Sequence, residues 1–240
     1  MRVNPYEIPP PSNSLPPRGG RITNDFAFNY EFFKDANYIL QYTPFPKDEK
    51  RQQMITIDGG AKSGSGTIVR YSVALASLLG KEIKIENIRA RRDKPGLRAQ
   101  HLKVIQACQE MCHSVVENAV VSSKEITYIP REGFRGGEYE WDIGTAGSTT
   151  MMAQTLLPLA CFAEKTSRFR LEGGLFQDFA PSAYHMKFVL LPWLKQISIQ
   201  AELEIVRPGY VPRGAGIIEI KVEPVKKLKP LNLTEQGEIL

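Results

Sequence analysis

The sequence predicts an α+β fold of two β-α-β-α-β-β units, each with its helices packed on one face of its sheet. Three observations lead there. Short runs alternate apolar and charged residues at period two, the pattern of a strand with one face buried and one in solvent. Between them lie longer stretches with apolar residues at helical spacing. The whole series then recurs about 85 residues further on, a shared offset that is hard to obtain by chance.

Taken in order, residues 1–53 differ from the rest. Pro9-Pro-Pro11, Pro16-Pro17 and Gly19-Gly20 resist regular structure and favour an extended chain. Phe28, Tyr30, Phe32, Phe33 and Tyr38 would gain by burial, so the reading is a loose extension that docks one short aromatic segment on the domain. A proline-rich ligand for a partner domain is the alternative. The folded domain is placed at 54–224, with a first repeat over 54–137 and a second over 138–224.

The first repeat opens with Met54 to Ile57, read as a buried strand. Gly59, Gly60, Gly64 and Gly66 follow, and then a helix with Val69, Val73, Ala76 and Leu79 on one face. Lys81 to Glu86 alternates around Ile83 and Ile85. A helix from Pro95 turns Val104, Cys108, Met111 and Cys112 inward, and Glu125 to Ile129 closes the unit. The second repeat answers with Trp141-Asp-Ile-Gly-Thr-Ala-Gly-Ser148 and a helix through Met152, Leu156 and Leu159. Arg168 to Glu172 is its middle strand. A helix from Pro181 presents Tyr184, Phe188, Leu191 and Leu194, and strands at Ala201 to Ile205 and Ile217 to Val222 end it.

Composition narrows the function less than pattern does. The 240 residues are 42% hydrophobic, enough for one large domain or two small ones. A net charge of +5 and a pI near 9.0 suit a polyanionic partner without requiring one. Cys108, Cys112 and Cys161 are odd in number and lie in apolar helical patterns, which predicts reduced thiols in an intracellular protein. With His101 and His113 they match no zinc spacing, so no metal site is expected from them. No apolar run approaches the ~18 residues of a membrane span, and the N-terminus lacks the apolar core of a signal peptide.

Two segments carry chemistry. A strand, a glycine-rich turn and a helix in that order form either an anion cradle or a tight structural turn, because helix N-termini present free N–H groups. Ser65 stands where a P-loop needs lysine, and the glycines do not space as G-x-G-x-x-G. The second segment is Ile88-Arg-Ala-Arg-Arg-Asp-Lys-Pro-Gly-Leu-Arg-Ala-Gln-His101, with five cations where a strand ends and a helix begins. Such a run is either a solvated turn or a phosphate grip, since arginine forks bind phosphate in two places at once. It falls at the same sheet end as the glycine loop, which favours phosphate binding by the run's cations, Arg89, Arg92 and Lys94 among them. His101, one turn into its helix, reads first as a buried, hydrogen-bonded histidine.

That second run resembles the RNA 3′-terminal phosphate cyclase family. So do Asp58-Gly59, Arg135-Gly-Gly137, Gly144-Thr-Ala-Gly-Ser148 with Gln154, Gly173-Gly174, and Gly209-Tyr-x-Pro-x-Gly-x-Gly216. Residues 225–240 look like the family's lead-in to an inserted small domain, here cut short. The resemblance implies repeated β-α-β-α-β-β units and an ATP-dependent reaction with a divalent metal, magnesium or manganese. A histidine takes the adenylate and passes it to an RNA 3′-phosphate. The neighbouring 2′-hydroxyl then displaces AMP and closes a 2′,3′-cyclic phosphate.

Carried over by position, the resemblance puts Arg70 and Arg92 at phosphates, Gln100 and His101 near the active centre, and Gln154, Gly59, Gly64 and Gly66 at the nucleotide. It implies RNA 3′ ends as partners, with RNA-processing or ribosome-assembly proteins beside them, in the cytoplasm or a nucleus and away from membranes. Three departures stand out. None of His101, His113 or His185 has the family's His-x-x-Thr-Asn context, so no nucleophile is assigned. The family's Glu, three glycines and Gln are here Ser63, Gly64-Ser65-Gly66 and Thr67. After Gly173-Gly174 the usual Thr with Asp or Asn is replaced by Leu175-Phe-Gln177. Two functions follow as expectations: an RNA 3′-phosphate cyclase whose nucleophile lies outside these residues, or a non-catalytic relative that binds RNA or assists ribosome assembly.

Overall fold

The computed structural model describes residues 54–231, and the readings made for 1–53 and for 232–240 fall outside them. The first unit runs β1 (Ile55–Asp58), α1 (Gly66–Leu79), β2 (Ile83–Glu86), α2 (Ala99–Cys112), β3 (Val115–Glu117) and β4 (Ile126–Ile129). The second runs β5 (Glu138–Asp142), α3 (Thr149–Cys161), β6 (Ser167–Gly173), α4 (Ala183–His185), a π-helical turn (Met186–Leu190), α5 (Leu191–Gln196), β7 (Ala201–Arg207) and β8 (Gly216–Val222). Residues 225–231 continue without helix or strand.

The repeat read from the sequence is present down to single bonds. The sheets order β1-β2-β4-β3 and β5-β6-β8-β7, each with a parallel first pair and antiparallel pairs beyond it. A parallel pair needs a crossover, and α1 and α3 supply it. At the end of β1, Gly59 N–H donates to Glu86 O at 2.7 Å, and Asp58 Oδ1 accepts from Gly60 N–H at 2.9 Å. At the end of β5, Ile143 N–H donates to Glu172 O at 3.0 Å, and Asp142 Oδ1 accepts from Gly144 N–H at 2.7 Å. The two strand ends are closed by the same pair of contacts.

Helices α1, α2 and α3 pack on one another over a single core drawn from both units. Ile83 and Ile85 enter it from β2, Phe169 and Leu171 from β6, and Val104, Cys108, Met111 and Cys112 from α2, as their spacing predicts. Tyr128 on β4 ties the layers together, its hydroxyl 2.6 Å from Ser77 Oγ on α1 and accepting from Ser114 Oγ at 2.6 Å. All three cysteines are buried free thiols, and burial pushes Cys161 up to about 12 and Cys108 upward as well, so neither of those two is a ready nucleophile.

The sequence reading needs correction in five places. β1 is an edge strand with Ile55 exposed, because only one neighbour, β2, covers it. Leu79 is exposed as well: Tyr71, Leu75 and Leu79 form the outer stripe of α1, opposite Val69, Val73 and Ala76. β3 escaped notice because three residues hold too little alternation to register. The helices expected from Pro95 and Pro181 begin at Ala99 and Ala183. Finally, Tyr184 and Phe188 face solvent, whereas Ala183, Met186 and Leu191 are buried. The last step is five residues, the spacing of the π turn, so a 3.6-residue period picks the wrong face.

Candidate phosphate-binding site

The loop after β1 and the basic segment after β2 are fastened together at one sheet end. Arg91 Nη1 donates to Lys62 O at 2.8 Å, and Arg89 N–H reaches Gly59 O at 3.4 Å. Arg89 turns back on its own segment, its Nη1 donating to Lys94 O at 2.6 Å and Gly96 O at 3.0 Å. Its guanidinium therefore shapes the loop as well as charging it. Gly64, at φ 54°, makes the turn into α1. Gly66 begins the helix so close to α2 that a Cβ there would lie 1.9 Å from His101 Nε2.

Between the units lies a cavity of about 240 Å³. The first unit contributes Ser65, Gly66 and Thr67 at the start of α1, then Arg70, Arg89, Arg92, Gln100 and His101. The second contributes Ser148 and Met151 from the start of α3 and residues 177–180 from the loop after β6. Six of the ten residues singled out from the sequence thus meet in one wall. The others do not line it. Gly59 is packed on Glu86 O, and Gly64 shapes the turn behind the cavity. Lys94 contributes its carbonyl to Arg89. Gln154 stands one turn further down α3 in a mostly apolar hollow with Tyr71, Leu157 and Pro158.

The cavity's charge is unbalanced. Arg70 is 7% exposed, and its Nη2 donates to Thr67 Oγ1 at 3.1 Å. Among the described residues no carboxylate pairs with it, and burial lowers its pKa. Burying a lone cation costs several kcal/mol, and an anion beside it offsets that cost. Burial, together with Arg98 and Arg92, also lowers Arg89.

His101 is driven the same way, down to about 3, first by burial and then by Arg70, Arg89 and Arg98. It is neutral at pH 7. Arg98 N–H donates to its Nδ1 at 3.1 Å, so the proton sits on Nε2, beside Gly66. The arrangement makes His101 a neutral donor rather than a nucleophile.

A larger hollow, of about 790 Å³, lies among Glu138, Glu140, Arg168, Arg170 and Glu219 on the second sheet. Its lining carries five carboxylates against four cations, with Arg170 paired to both Glu140 and Glu219, so it presents no surplus positive charge. The smaller cavity is the candidate anion site.

Several cavity residues were not picked from the sequence as site residues: Ser65, Thr67, Ser148, Met151 and residues 177–180. Ser148, whose Oγ accepts from Met151 N–H at 3.1 Å, carried a helix-cap signal that marks a helix start but not a ligand. Gln177, in one of the three departures from the family's pattern, supplies a polar group to this wall: its Nε2 donates to Ala146 O at 3.1 Å, and its Oε1 is buried without a partner among the described residues.

The family model for RNA 3′-terminal phosphate cyclase matches residues 61–234, which include every residue lining the cavity. The chain belongs to the RNA 3′-terminal phosphate cyclase family. It is similar to the RNA 3′-terminal phosphate cyclase of Desulfurococcus amylolyticus, 43% identical over 187 residues, covering 78% of this chain and 52% of that one. The cyclase of Pyrococcus furiosus is 43% identical over 178 residues, 74% of this chain and 52% of the other. That of Nitrosospira multiformis is 39% identical over 180 residues, 75% and 51% respectively. The chain spans about half the length of the curated relatives it matches. Family membership fits the repeated cyclase-like units described above, and among the described residues no helix is long and apolar enough to cross a membrane.

Proposed function

We propose that this chain binds the phosphate end of RNA in the cavity between its units, as part of an ATP-dependent RNA 3′-terminal phosphate cyclase that forms a 2′,3′-cyclic phosphate. The observation that carries the reading is Arg70, a buried cation at the start of a 14-residue helix, without a carboxylate partner among the described residues. Ser65, at the N-cap of that helix, makes no side-chain cap bond; its carbonyl takes Ile68 N–H at 3.2 Å, which leaves the N–H groups of Gly66 and Thr67 for an anion. Arg92 adds an exposed cation at the rim, Nε2–H of His101 a neutral donor, and Gln177 Oε1 an acceptor suited to a sugar hydroxyl.

ATP, in this reading, supplies the leaving group that makes a phosphate monoester electrophilic. The cavity is smaller than the roughly 300–1,000 Å³ of pockets that enclose a whole drug-sized ligand, so its residues fit a phosphate and the sugar bearing it. Gln154, in its separate hollow, is the residue proposed to reach further along a nucleotide. A metal held by the protein fits less well. Asp178 is the one carboxylate on the cavity wall among the described residues, where no cluster of His, Cys, Asp and Glu could hold an ion. The proposed route also needs a histidine nucleophile. His101 is locked and neutral, and His113 and His185 lie outside the cavity. These 240 residues therefore bind and orient, and the nucleophile belongs to other sequence. The same facts favour, as a second reading, a non-catalytic relative that holds RNA ends for processing or ribosome assembly.

The test is binding of short single-stranded RNA with and without a 3′-phosphate over a range of salt. The phosphorylated end is expected to bind more tightly. Arg92→Ala is expected to weaken it and to flatten the slope of log affinity against log salt by about 0.7, one phosphate contact on a single strand. Equal binding by both proteins at every salt concentration would return the basic segment to the status of a structural turn. Incubation with labelled ATP separates the two readings: label is expected on a protein that includes the nucleophile and not on this chain alone.

A further inference from the structure

The loop after β6 leads from the cavity onto an exposed row of aromatic rings that phosphate binding does not use. Phe176 stacks on Tyr210 with ring centroids 5.3 Å apart and on Tyr184 at 5.2 Å, and Tyr184 stacks on Phe188 at 6.1 Å. Tyr184, Phe188 and Tyr210 are 56%, 65% and 62% exposed, and Phe179, on the cavity wall in the same loop, is 99% exposed. Folding gains almost nothing from rings left this open, and a continuous exposed aromatic surface marks a binding face.

The charge around the rings says what kind of partner suits them. Lys187 Nζ lies 5.6 Å from the centre of the Phe188 ring, and Arg213 is exposed in the turn that Tyr210 opens. Exposed rings interleaved with cations, running outward from a phosphate pocket, match what single-stranded nucleic acid presents: bases with stacking faces on an anionic backbone. An apolar protein partner would not call for the cations.

We infer that Phe179, Tyr184, Phe188 and Tyr210 form a stacking platform for the bases just upstream of the RNA 3′-phosphate, which rests on the cavity being the phosphate site. The rings already stack on one another, so bases meet their outward faces. Sequence preference is then weak, because every base has a stacking face.

The experiment uses the full chain and RNA oligomers of one to six nucleotides, each with a 3′-phosphate or a 3′-hydroxyl. Wild-type affinity is expected to climb over the first few nucleotides. Tyr184→Ala with Phe188→Ala is expected to remove most of that climb, weakening the hexamer about tenfold per ring, while the mononucleotide binds as before. Phe188→Trp, which keeps a ring, is expected to keep the climb. Unchanged hexamer affinity in the double variant would overturn the platform. So would a loss already complete with the mononucleotide, or a Trp variant that behaves like Ala. Preference for the 3′-phosphate over the 3′-hydroxyl tests the cavity separately, since the length dependence is read on both series. Thermal melting confirms that each variant is folded, and Phe188→Ser alone, at a largely exposed position, serves if the double variant is not.

Discussion

The same place in the fold is furnished differently in the two units. After β2, the segment leading to α2 carries Arg89, Arg91, Arg92, Lys94 and Arg98; after β6, the segment leading to α4 carries Phe176, Gln177, Asp178 and Phe179. The starts of the crossover helices differ too. At α1, Ser65 leaves the first-turn N–H groups uncapped, whereas at α3 Ser148 takes up that of Met151. The wiring repeats, and the chemistry does not. A duplicated scaffold thus delivers two loops to one rim, one furnished with cations beside a helix start without a side-chain cap, the other with an amide and rings.

The sharpest way to break this contrast is to remove the charge that the first unit buries. Arg70→Met replaces a lone buried cation with a side chain of similar reach. It should cut affinity for 3′-phosphorylated RNA on the order of a hundredfold and raise the melting temperature by several degrees, since buried ions often cost more than apolar replacements. Fluorescence anisotropy and calorimetry read the two effects. A variant that binds normally, or melts lower, would mean that Arg70 serves the fold rather than a ligand.

Acid should tell the units apart next. The folded-state value for His101, about 3, lies below the ordinary 6.5, so the unfolded chain takes up the proton first. Its contribution is fully present above about pH 6.5 and is lost as the pH falls toward 3, by up to a few kcal/mol. Urea unfolding from pH 7 to pH 4 should show that decline in the wild type and a flatter curve in His101→Gln. Among the described residues of the second unit no histidine is buried.

The smallest effect sharpens the comparison of helix starts. Ser148→Ala removes a cap bond and should cost about 1 kcal/mol, lowering the melting temperature by about 2–4 °C. Ser65→Ala removes no cap bond and should leave melting unchanged. Equal losses would show that α1 is capped after all.

What the sequence disclosed follows from which interactions are local. Alternation in Ile83–Ile85 and Phe169–Leu171 reports burial directly, and the recurrence of that pattern gave both units. The basic run was legible because its cations are neighbours along the chain. The burial of Ile55 was misjudged because edge position depends on strand order, and the face of α4 because one π turn shifts the phase. Gln177 and Phe179 were missed for a different reason. Their part in the cavity depends on two loops about 80 residues apart meeting, and no local pattern encodes that.

The buried guanidinium of Arg70 also bears on how long the protein survives in a cell. An interaction left unmet lowers the free energy needed to open the fold, and proteases act on the opened form. Any anion that pairs with Arg70 in the folded state and not in the unfolded one restores that free energy by mass action. Under the binding proposed above, the supply of phosphate ends would set the turnover of the protein: molecules holding a ligand would persist, and surplus ones would be cleared first.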